Sequence, residues 1–240
     1  LIILHGLFGS LDNWMTLAKK WGEHYEVFVL DARNHGFSPH SNEFNYAVMA
    51  DDLYGFIVQQ MIHKPIILGH SMGGKTAMQF AMNYPTQLSK LIVADIAPKE
   101  YPVRHDSIIA GLESLDFNQI SSRSEADAKL AVKIEDLSTR QFLLKNLHWK
   151  EKGRLGWKFN LPAIKENIVQ IGQSLEQENT FEKPTLFVRG TRSNYILEED
   201  ASEIEQIFSN SSIISMDVGH WVHAENPTLF YNLVSNFLEA

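Results

Sequence analysis

Short apolar runs alternate with longer segments of helical periodicity in the N-terminal part of the chain. The apolar runs predict buried strands at residues 1–4, 27–30, 65–68 and 91–94. Apolar positions at helical spacing predict helices over residues 11–22, 46–63 and 75–83. Strands and helices that alternate in this way form a mostly parallel sheet with helices on both faces. The pattern therefore predicts an α/β fold.

The alternation stops at about residue 99 and resumes at about residue 181. Within this segment the pattern predicts helices over residues 104–116, 122–147 and 162–178, and residues 148–159 are rich in aromatic and basic side chains. After it come two more predicted strands, at 184–190 and 212–216, and two helices, at 198–210 and 227–238. We therefore expect one α/β core, residues 1–98 and 181–240, with residues 99–180 inserted as a helical cap over the strand ends.

The composition is that of an ordinary globular chain and excludes several classes of protein. The 240 residues carry a formal net charge of -8 without a basic cluster, so we expect no nucleic-acid partner. The absence of cysteine excludes disulfides, thiol catalysis and cysteine-bound metals. No run of about 18 apolar residues occurs, so we expect no membrane span.

The expected location is the cytoplasm, since the lack of cysteine is compatible with a reducing compartment. The chain begins at Leu1, within a predicted strand and without methionine. We therefore expect that N-terminal residues are missing, and a targeting segment could be among them.

A glycine and serine pattern after the third predicted strand carries the main functional signal. Gly69, Ser71 and Gly73 form G-x-S-x-G between a buried strand and a predicted helix, which is the context of a nucleophile elbow. A serine on this tight turn has a strained backbone, and its neighbours two positions away face each other so closely that only small residues fit. The start of the helix directs free N–H groups toward an oxyanion at Ser71. We predict that Ser71 is a catalytic nucleophile.

A second glycine turn supplies the candidate oxyanion hole. His5 and Gly6 directly follow the first predicted strand, where this architecture usually provides a backbone donor. The N–H of Leu7 is the candidate, with Phe8 as the near alternative. The N–H of Met72, directly after the nucleophile, is the second predicted donor.

The candidate general base is one of two histidines after the last predicted strand. A serine hydroxyl needs a base, and that base needs an acidic partner. The chain order of serine, acid and histidine favours His220 or His223. His220 follows Gly219 in the loop after the strand, where its side chain can reach Ser71, so we predict that His220 is the base. We expect His223 on the surface or behind the catalytic residues.

The candidate acid is found by elimination. The usual position, the loop after the strand at 184–190, holds no carboxylate, and Ser193 occupies the place where an aspartate is expected. Glu198, Glu199 and Asp200 lie further on, in a predicted helix. Asp95 follows the strand next to the elbow helix, and an acid there can reach the same imidazole, so it is preferred. The alternative is that Asp95 only caps a turn.

Aromatic and imidazole side chains near these groups are candidates for substrate binding: Phe8, His70, Trp149, Trp157 and Trp221. Trp149 and Trp157 lie in the predicted cap, where they are expected to line an acyl pocket, and packing within the cap is the alternative. In the polar turn after the second strand, His35 could reach the site, although a turn-stabilising role for Asp31 and Arg33 is the preferred interpretation.

Motifs with the pattern of one family are spread over nearly the whole chain. They are His5-Gly6-Leu7-Phe8-Gly9-Ser10, Gly69-His70-Ser71-Met72-Gly73-Gly74-Lys75-Thr76, Asp95-Ile96-Ala97-Pro98, Trp157-Lys158-Phe159-Asn160-Leu161, Arg189-Gly190 with Ser193 and Tyr195, and Gly219-His220-Trp221-Val222-His223-Ala224-Glu225. On these residues the chain resembles the α/β-hydrolases, and within them the YbfF-type esterases and their mitochondrial abhydrolase relatives. The resemblance implies an esterase or thioesterase whose acid lies on the earlier strand, which supports Asp95.

The predicted function is serine hydrolysis of carboxylic esters or acyl thioesters, with acyl-CoA as one candidate, through an acyl-enzyme on Ser71. We expect no cofactor and no metal, because this chemistry needs neither and no metal-ligand spacing occurs. Two alternatives are a lyase or carbon–carbon hydrolase on the same fold, and a non-catalytic ligand-binding homologue. The acyl chain length, the leaving group and the oligomeric state are left open.

Overall fold

A parallel sheet forms the centre of the computed structural model, which describes residues 1–102, 105–175 and 180–240. The strands in the described residues are β1 (Ile2–Leu4), β2 (Phe28–Leu30), β3 (Ile66–His70), β4 (Lys90–Ala94), β5 (Leu147–Glu151), β6 (Arg154–Trp157), β7 (Thr185–Gly190) and β8 (Ser211–Met216). The large sheet has the order β2-β1-β3-β4-β7-β8, and all its pairs are parallel. Strands β5 and β6 form a separate antiparallel hairpin.

Helices connect most of these strands. Those in the described residues are α1 (Met15–Trp21), α2 (Tyr46–Gln59), α3 (Met72–Asn83), α4 (Asp106–Glu113), α5 (Arg123–Leu130), α6 (Leu137–Leu144), α7 (Leu161–Glu166), α8 (Ile168–Gly172), α9 (Ala201–Ile207), α10 (Val222–Glu225) and α11 (Pro227–Glu239). Short 3-10 turns, Leu11–Asn13 and Glu198–Asp200, precede α1 and α9.

Two hydrophobic clusters cover the two faces of the large sheet. Successive residues of a strand point to opposite faces, and in β1 the side chain of Ile2 packs with α2 and α3, whereas Ile3 packs with α1 and α11. Because both faces are covered, the strands need no polar side, which explains their continuous apolar runs. All six predicted strands and the predicted α/β sheet with helices on both faces are confirmed.

One helix predicted between the two halves of the sheet is wrong. The predicted helix over residues 122–147 is divided, since α5 ends at Leu130 and α6 begins at Leu137. The Asp136 carboxylate accepts a hydrogen bond from the Thr139 N–H at 2.6 Å, which caps the start of a new helix. The residues around this break are compatible with a helix, so their spacing alone did not reveal it.

Two other predicted elements of this segment also differ. Of the predicted helix 104–116, residue 104 lies outside the described residues and α4 covers only Asp106–Glu113. The predicted helix 162–178 is divided into α7 and α8, and residues 176–178 lie outside the described residues. The β5–β6 hairpin, for which no element was predicted, turns at Gly153, whose φ of 84° favours glycine.

The end of α8 is bonded to α2 and α3 of the core. The Tyr46 hydroxyl donates to the Ile171 carbonyl at 2.7 Å, and the Lys75 ammonium donates to the Gln173 carbonyl at 2.5 Å. Lys75 is buried, and this burial lowers its pKa to about 8. These donors satisfy carbonyls at a helix C-terminus. They tie the end of α8 to α2 and α3, and the expected role of residues 99–180 as a cap stays a prediction.

Candidate active site

The Ser71 turn has the strained geometry that its sequence predicts. Ser71 joins β3 to α3 with a φ of 53°, in the left-handed region that non-glycine residues rarely adopt. A Cβ atom on Gly69 would lie 2.1 Å from the Gly73 carbonyl oxygen, and one on Gly73 would lie 2.5 Å from the Leu4 carbonyl oxygen. Both glycines are therefore required by close approach. The predicted reason, that the two positions face each other, holds for Gly69, whereas Gly73 is crowded by the backbone of β1.

A carboxylate at the end of β4 binds the histidine that follows β8. The Nδ1–H of His220 donates to Asp95 Oδ2 at 2.8 Å. Asp95 is fully buried, and its two oxygens also accept hydrogen bonds from the Gly190 N–H at 2.9 Å and from the Ser193 hydroxyl at 2.5 Å. Three donors thus hold the carboxylate in place. Asp95 does more than cap a turn.

The other candidate carboxylates are engaged elsewhere. Asp200 forms an ion pair with Lys99 at 2.6 Å and accepts a hydrogen bond from the Leu197 N–H. Glu198 has a largely exposed side chain that lies 3.8 Å from Arg189. The loop without a carboxylate instead supplies Ser193 as a donor to the acid. The sequence marks Ser193 as the residue at the position of an expected aspartate, but it carries no signal for this contact.

Two further residues contact His220, one at its backbone and one at its imidazole. The Nε2–H of His70 donates to the His220 carbonyl at 2.9 Å, and the Tyr195 ring stacks on the imidazole with centroids 3.9 Å apart. Because Nδ1 faces Asp95, Nε2 is the ring nitrogen that remains to take up a proton. The stacking role of Tyr195 has no signal in the sequence, because it depends on a contact between distant loops.

The loop after β1 presents one candidate donor to the site and uses the other elsewhere. Leu7 lines the same cavity as Ser71 and His220. The N–H of Phe8, the near alternative, donates to His35 Nε2 at 3.1 Å and is therefore occupied. Met72 is the first residue of α3, so its N–H has no acceptor within the helix. Leu7 and Met72 remain the candidate oxyanion donors.

A cavity of about 740 Å³ contains Ser71 and His220. Its lining residues are Leu7, Tyr46, Ser71, Met72, Ile96, Lys99, Glu100, Tyr101, Pro102, His105, Ile108, Ile168, Ile171, Gly172, Arg192, Ser193, Asn194, Tyr195, Leu197 and His220. The aliphatic side chains that residues 99–180 contribute include three isoleucines, Ile108, Ile168 and Ile171, and Tyr101 and Pro102 lie beside them. The cavity therefore combines an aliphatic wall with polar groups of the core.

The two cap tryptophans lie outside this cavity, which corrects their expected place in an acyl pocket. The Trp149 side chain is 55% exposed on β5. Trp157 is buried among other aromatic rings, with centroid distances of 5.6 Å to Phe117 and 5.1 Å to Phe159. The alternative for Trp157, packing within the cap, agrees with these contacts. A spacing argument did not show which face of the hairpin turns inward.

The remaining three substrate-binding candidates are also absent from the described lining of the cavity. Phe8 packs against Phe159 at a centroid distance of 5.5 Å, and Trp221 packs against Phe142 at 5.6 Å. His70 lies behind His220 and bonds its carbonyl. The contacts of these three side chains are thus with neighbouring residues, and their role in substrate binding stays a prediction.

Four histidines near the site are fully buried and held neutral. Burial lowers the pKa of His5 and His70, and it lowers the pKa of His35 and of His223 to about 3. His5 and His35 each place one ring nitrogen on a backbone carbonyl and accept a backbone N–H with the other. His223, expected on the surface or behind the site, is buried and stacks on Trp14 at 4.1 Å.

These buried histidines predict a steep loss of stability in acid. Below about pH 6.5 the unfolded chain binds protons on these histidines more readily than the folded chain does, so the free energy of unfolding decreases as the pH falls. The slope is up to about 1.4 kcal/mol per pH unit for each histidine that stays neutral in the folded chain. The stability is present above pH 6.5 and is lost toward pH 3. Guanidinium unfolding between pH 4.5 and 7.5 measures this slope.

A matched pair of variants assigns this slope to a single residue. We expect His223→Phe to reduce the pH dependence by about one proton between pH 4.5 and 6. His24→Phe, at an exposed position, should keep the slope of the unchanged protein. If the pH dependence of the free energy of unfolding is unchanged in His223→Phe, folding does not lower the pKa of His223.

The comparisons with known proteins agree with this fold. A family model described as the alpha/beta hydrolase fold matches residues 1–227. The sn-1-specific diacylglycerol lipase ABHD11 of Danio rerio is 36% identical over 249 residues, which cover 100% of this chain and 78% of that protein. Esterase YbfF of Escherichia coli is 33% identical over 240 residues, 99% of this chain and 92% of that protein. A solved marine microorganism esterase has a TM-score of 0.95 and 40% identity, and the match covers 98% of this chain and 94% of that one.

The chain belongs to the α/β-hydrolase family. Its relatives include both groups that the motifs indicated, so the predicted family, branch and fold class are confirmed. The relatives named above are esterases or a lipase, which is the class of enzyme that the sequence predicts. Across the described residues, no helix combines the length and apolar character needed to cross a bilayer.

Proposed function

We propose that this chain is a serine hydrolase of carboxylic esters, with Ser71 as nucleophile, His220 as general base and Asp95 as acid. The observation that carries the proposal is the 2.8 Å contact between His220 Nδ1 and Asp95 Oδ2 beside the cavity that holds Ser71. This contact places a proton on Nδ1 and leaves Nε2 as the base. The family relationship and the names of the relatives support the same reaction.

The reaction proceeds through an acyl-enzyme. His220 Nε2 takes the hydroxyl proton of Ser71 while Oγ forms a bond to the acyl carbon, and the carbonyl oxygen becomes an oxyanion held by the N–H groups of Leu7 and Met72. When the oxyanion collapses, the ester C–O bond breaks and His220 gives its proton to the departing alkoxide. Water then releases the acid by the same steps, with His220 again as base. Asp95 stays ionised throughout and orients the imidazole.

The cavity wall indicates where the acyl chain binds. Ile108, Ile168 and Ile171 supply aliphatic surface from the cap, and burial of methylene groups there stabilises the complex by about 0.8 kcal/mol each. The polar side, with Lys99 and Arg192, suits the alcohol portion. A thioester has the same acyl chemistry, so acyl thioesters, including acyl-CoA, are proposed as further substrates. The diacylglycerol lipase relatives add acylglycerols to this set.

The test combines active-site labelling with a substrate panel. We expect a fluorophosphonate probe to label Ser71, as located by peptide mass analysis, because the probe needs an activated serine. We also expect turnover of acyl esters in a panel of esters and thioesters of graded chain length. A protein that neither labels nor hydrolyses any ester would contradict the proposal and favour a ligand-binding role.

Product analysis separates this proposal from its enzymatic alternatives. An esterase releases one acid and one alcohol from a simple ester, whereas a lyase or carbon–carbon hydrolase leaves simple esters intact. The cytoplasmic location, the leaving-group preference and the absence of a nucleic-acid partner stay predictions.

A further inference from the structure

The backbone of Phe8, next to the candidate oxyanion donor Leu7, is in an unusual conformation. Its φ is 57°, in the left-handed region that favours glycine, yet the residue carries a large, fully packed side chain. The Gly9 N–H donates to the Gly6 carbonyl at 2.9 Å, so the loop is a tight turn around Leu7 and Phe8. A strained residue of this kind persists only where surrounding groups fix it.

Two buried side chains bond the two backbone groups of Phe8. His35 Nε2 accepts from the Phe8 N–H at 3.1 Å, and the Asn146 side-chain amide donates to the Phe8 carbonyl at 2.7 Å. His35 lies in the loop after β2, whereas Asn146 lies in the cap segment, between α6 and β5. The turn is therefore held from the core on one side and from the cap on the other.

Attachment of the cap alone does not explain an asparagine at position 146, because its burial lowers stability. It is 1% exposed, and its Oδ1 atom has no hydrogen-bond partner among the described residues. A buried polar atom without a partner lowers stability, and an apolar side chain of the same size would avoid this loss. The amide also donates to the Leu143 carbonyl within its own segment, but at 3.4 Å, so the shorter hydrogen bond to Phe8 is its main benefit. Unexplained buried polar groups of this kind often have a functional reason.

We propose that Asn146 is a positioning residue for catalysis: from the cap, it fixes the Phe8 carbonyl and thereby aims the Leu7 N–H at the oxyanion. This inference rests on the proposed function, since it requires an oxyanion at Ser71. It makes the cap part of the machinery that stabilises the transition state, in addition to its part in the cavity wall. A donor that is displaced from the oxyanion loses much of its effect on the rate.

The chain offers a matched control for this contact. The Asn167 side-chain amide also donates from the cap segment to a backbone carbonyl of the core, that of Asn42, at 2.9 Å. Neither of these two residues lines the cavity among the described residues. Asn146→Leu and Asn167→Leu thus each remove one bond between cap and core, but only the first removes a bond to the oxyanion turn.

We expect Asn146→Leu to lower kcat for an ester by about 10- to 100-fold with KM changed by less than about threefold. Asn167→Leu should keep kcat within about twofold. When an active serine bonds to the carbonyl carbon of a trifluoromethyl ketone, the ketone oxygen becomes an oxyanion that resembles the transition state. The affinity for this inhibitor should therefore fall in parallel with kcat/KM in Asn146→Leu, but not in Asn167→Leu. If Asn146→Leu fails to fold, Asn146→Ser, which is too short to reach Phe8, takes its place with the same expectation.

Two results would overturn this inference. One is that the Asn146 variant keeps the kcat and the inhibitor affinity of the unchanged protein. The other is that the Asn167 variant loses as much kcat and inhibitor affinity as the Asn146 variant does. Either result would mean that Asn146 only attaches the cap to the core. Failure of the proposed function is a separate result. In that case, the unchanged protein itself would show neither fluorophosphonate labelling of Ser71 nor ester turnover.

Discussion

Replacement of Ser71 by alanine is expected to lower p-nitrophenyl ester turnover by about a thousandfold or more. The variant lacks the atom that forms the acyl-enzyme, so only direct attack by water at a site with an oxyanion hole remains. Steady-state kinetics at saturating substrate measure the loss in kcat. Because Leu7, Met72 and the cavity wall are unchanged, we expect a similar KM.

The fold should tolerate this change. Alanine has a Cβ like serine, so it keeps both the strain at a φ of 53° and the packing of the turn. We expect the free energy of unfolding to stay within about 1 kcal/mol of the original value. Ser212→Ala, at an exposed position on β8, is the matched control and should keep full activity. Retained turnover in a homogeneous preparation of Ser71→Ala would remove Ser71 from the mechanism.

The nucleophile turn and the general base could be identified because their signals are local in the sequence. Gly69 is required by a contact within the strand-to-helix turn and Gly73 by the close approach of β1, and both requirements appear together as one short spacing. His220 follows the last strand of an alternating pattern, and the order of elements places it at the carboxyl edge of the sheet. Parallel strands with two buried faces are similarly readable as apolar runs.

The groups that support these residues could not be read in the same way. Ser193 bonds to Asp95, which lies about a hundred positions earlier in the sequence. Tyr195 stacks on His220, which lies about 25 positions later. No periodicity links residues so far apart. The acid was predicted by elimination, and the structure supplies the reason for the empty position, since Ser193 donates to the carboxylate that β4 provides. Long-range hydrogen bonds of this kind appear only when the loops are brought together.

The cap segment was the least predictable part, because its elements are short. Asp136 starts a new helix through one side-chain hydrogen bond, and Gly153 turns a hairpin through one positive φ, and both signals are weaker than a long apolar run. Aromatic residues there were expected to contact substrate, but Trp149 is exposed and Trp157 is packed among other rings. The aliphatic wall comes instead from isoleucines of α4 and α8.

The second large effect is expected for Asp95→Asn, which should lower kcat by about 10⁴-fold. The Gly190 N–H can only donate, so it selects the oxygen of the new amide, and the amide nitrogen must then face Ser193 and His220. His220 Nδ1 has to accept from that nitrogen, which moves the imidazole proton to Nε2. A protonated Nε2 cannot take the proton of Ser71, so the base is lost although every heavy atom stays in place.

An unchanged KM and a dependence on which aspartate is changed distinguish this effect from a general loss of stability. The Asp95→Asn enzyme should still bind substrate with a similar KM, because the carboxylate is buried behind the imidazole. Asp200→Asn is the matched control: it also changes a buried aspartate at the cap-facing edge, but its partner is Lys99, and it should keep kcat within about threefold. If the Asp200 variant lost turnover and the Asp95 variant kept it, the acid would lie on the later strand after all. The hydrogen bond from Ser193 would then serve only to close the loop.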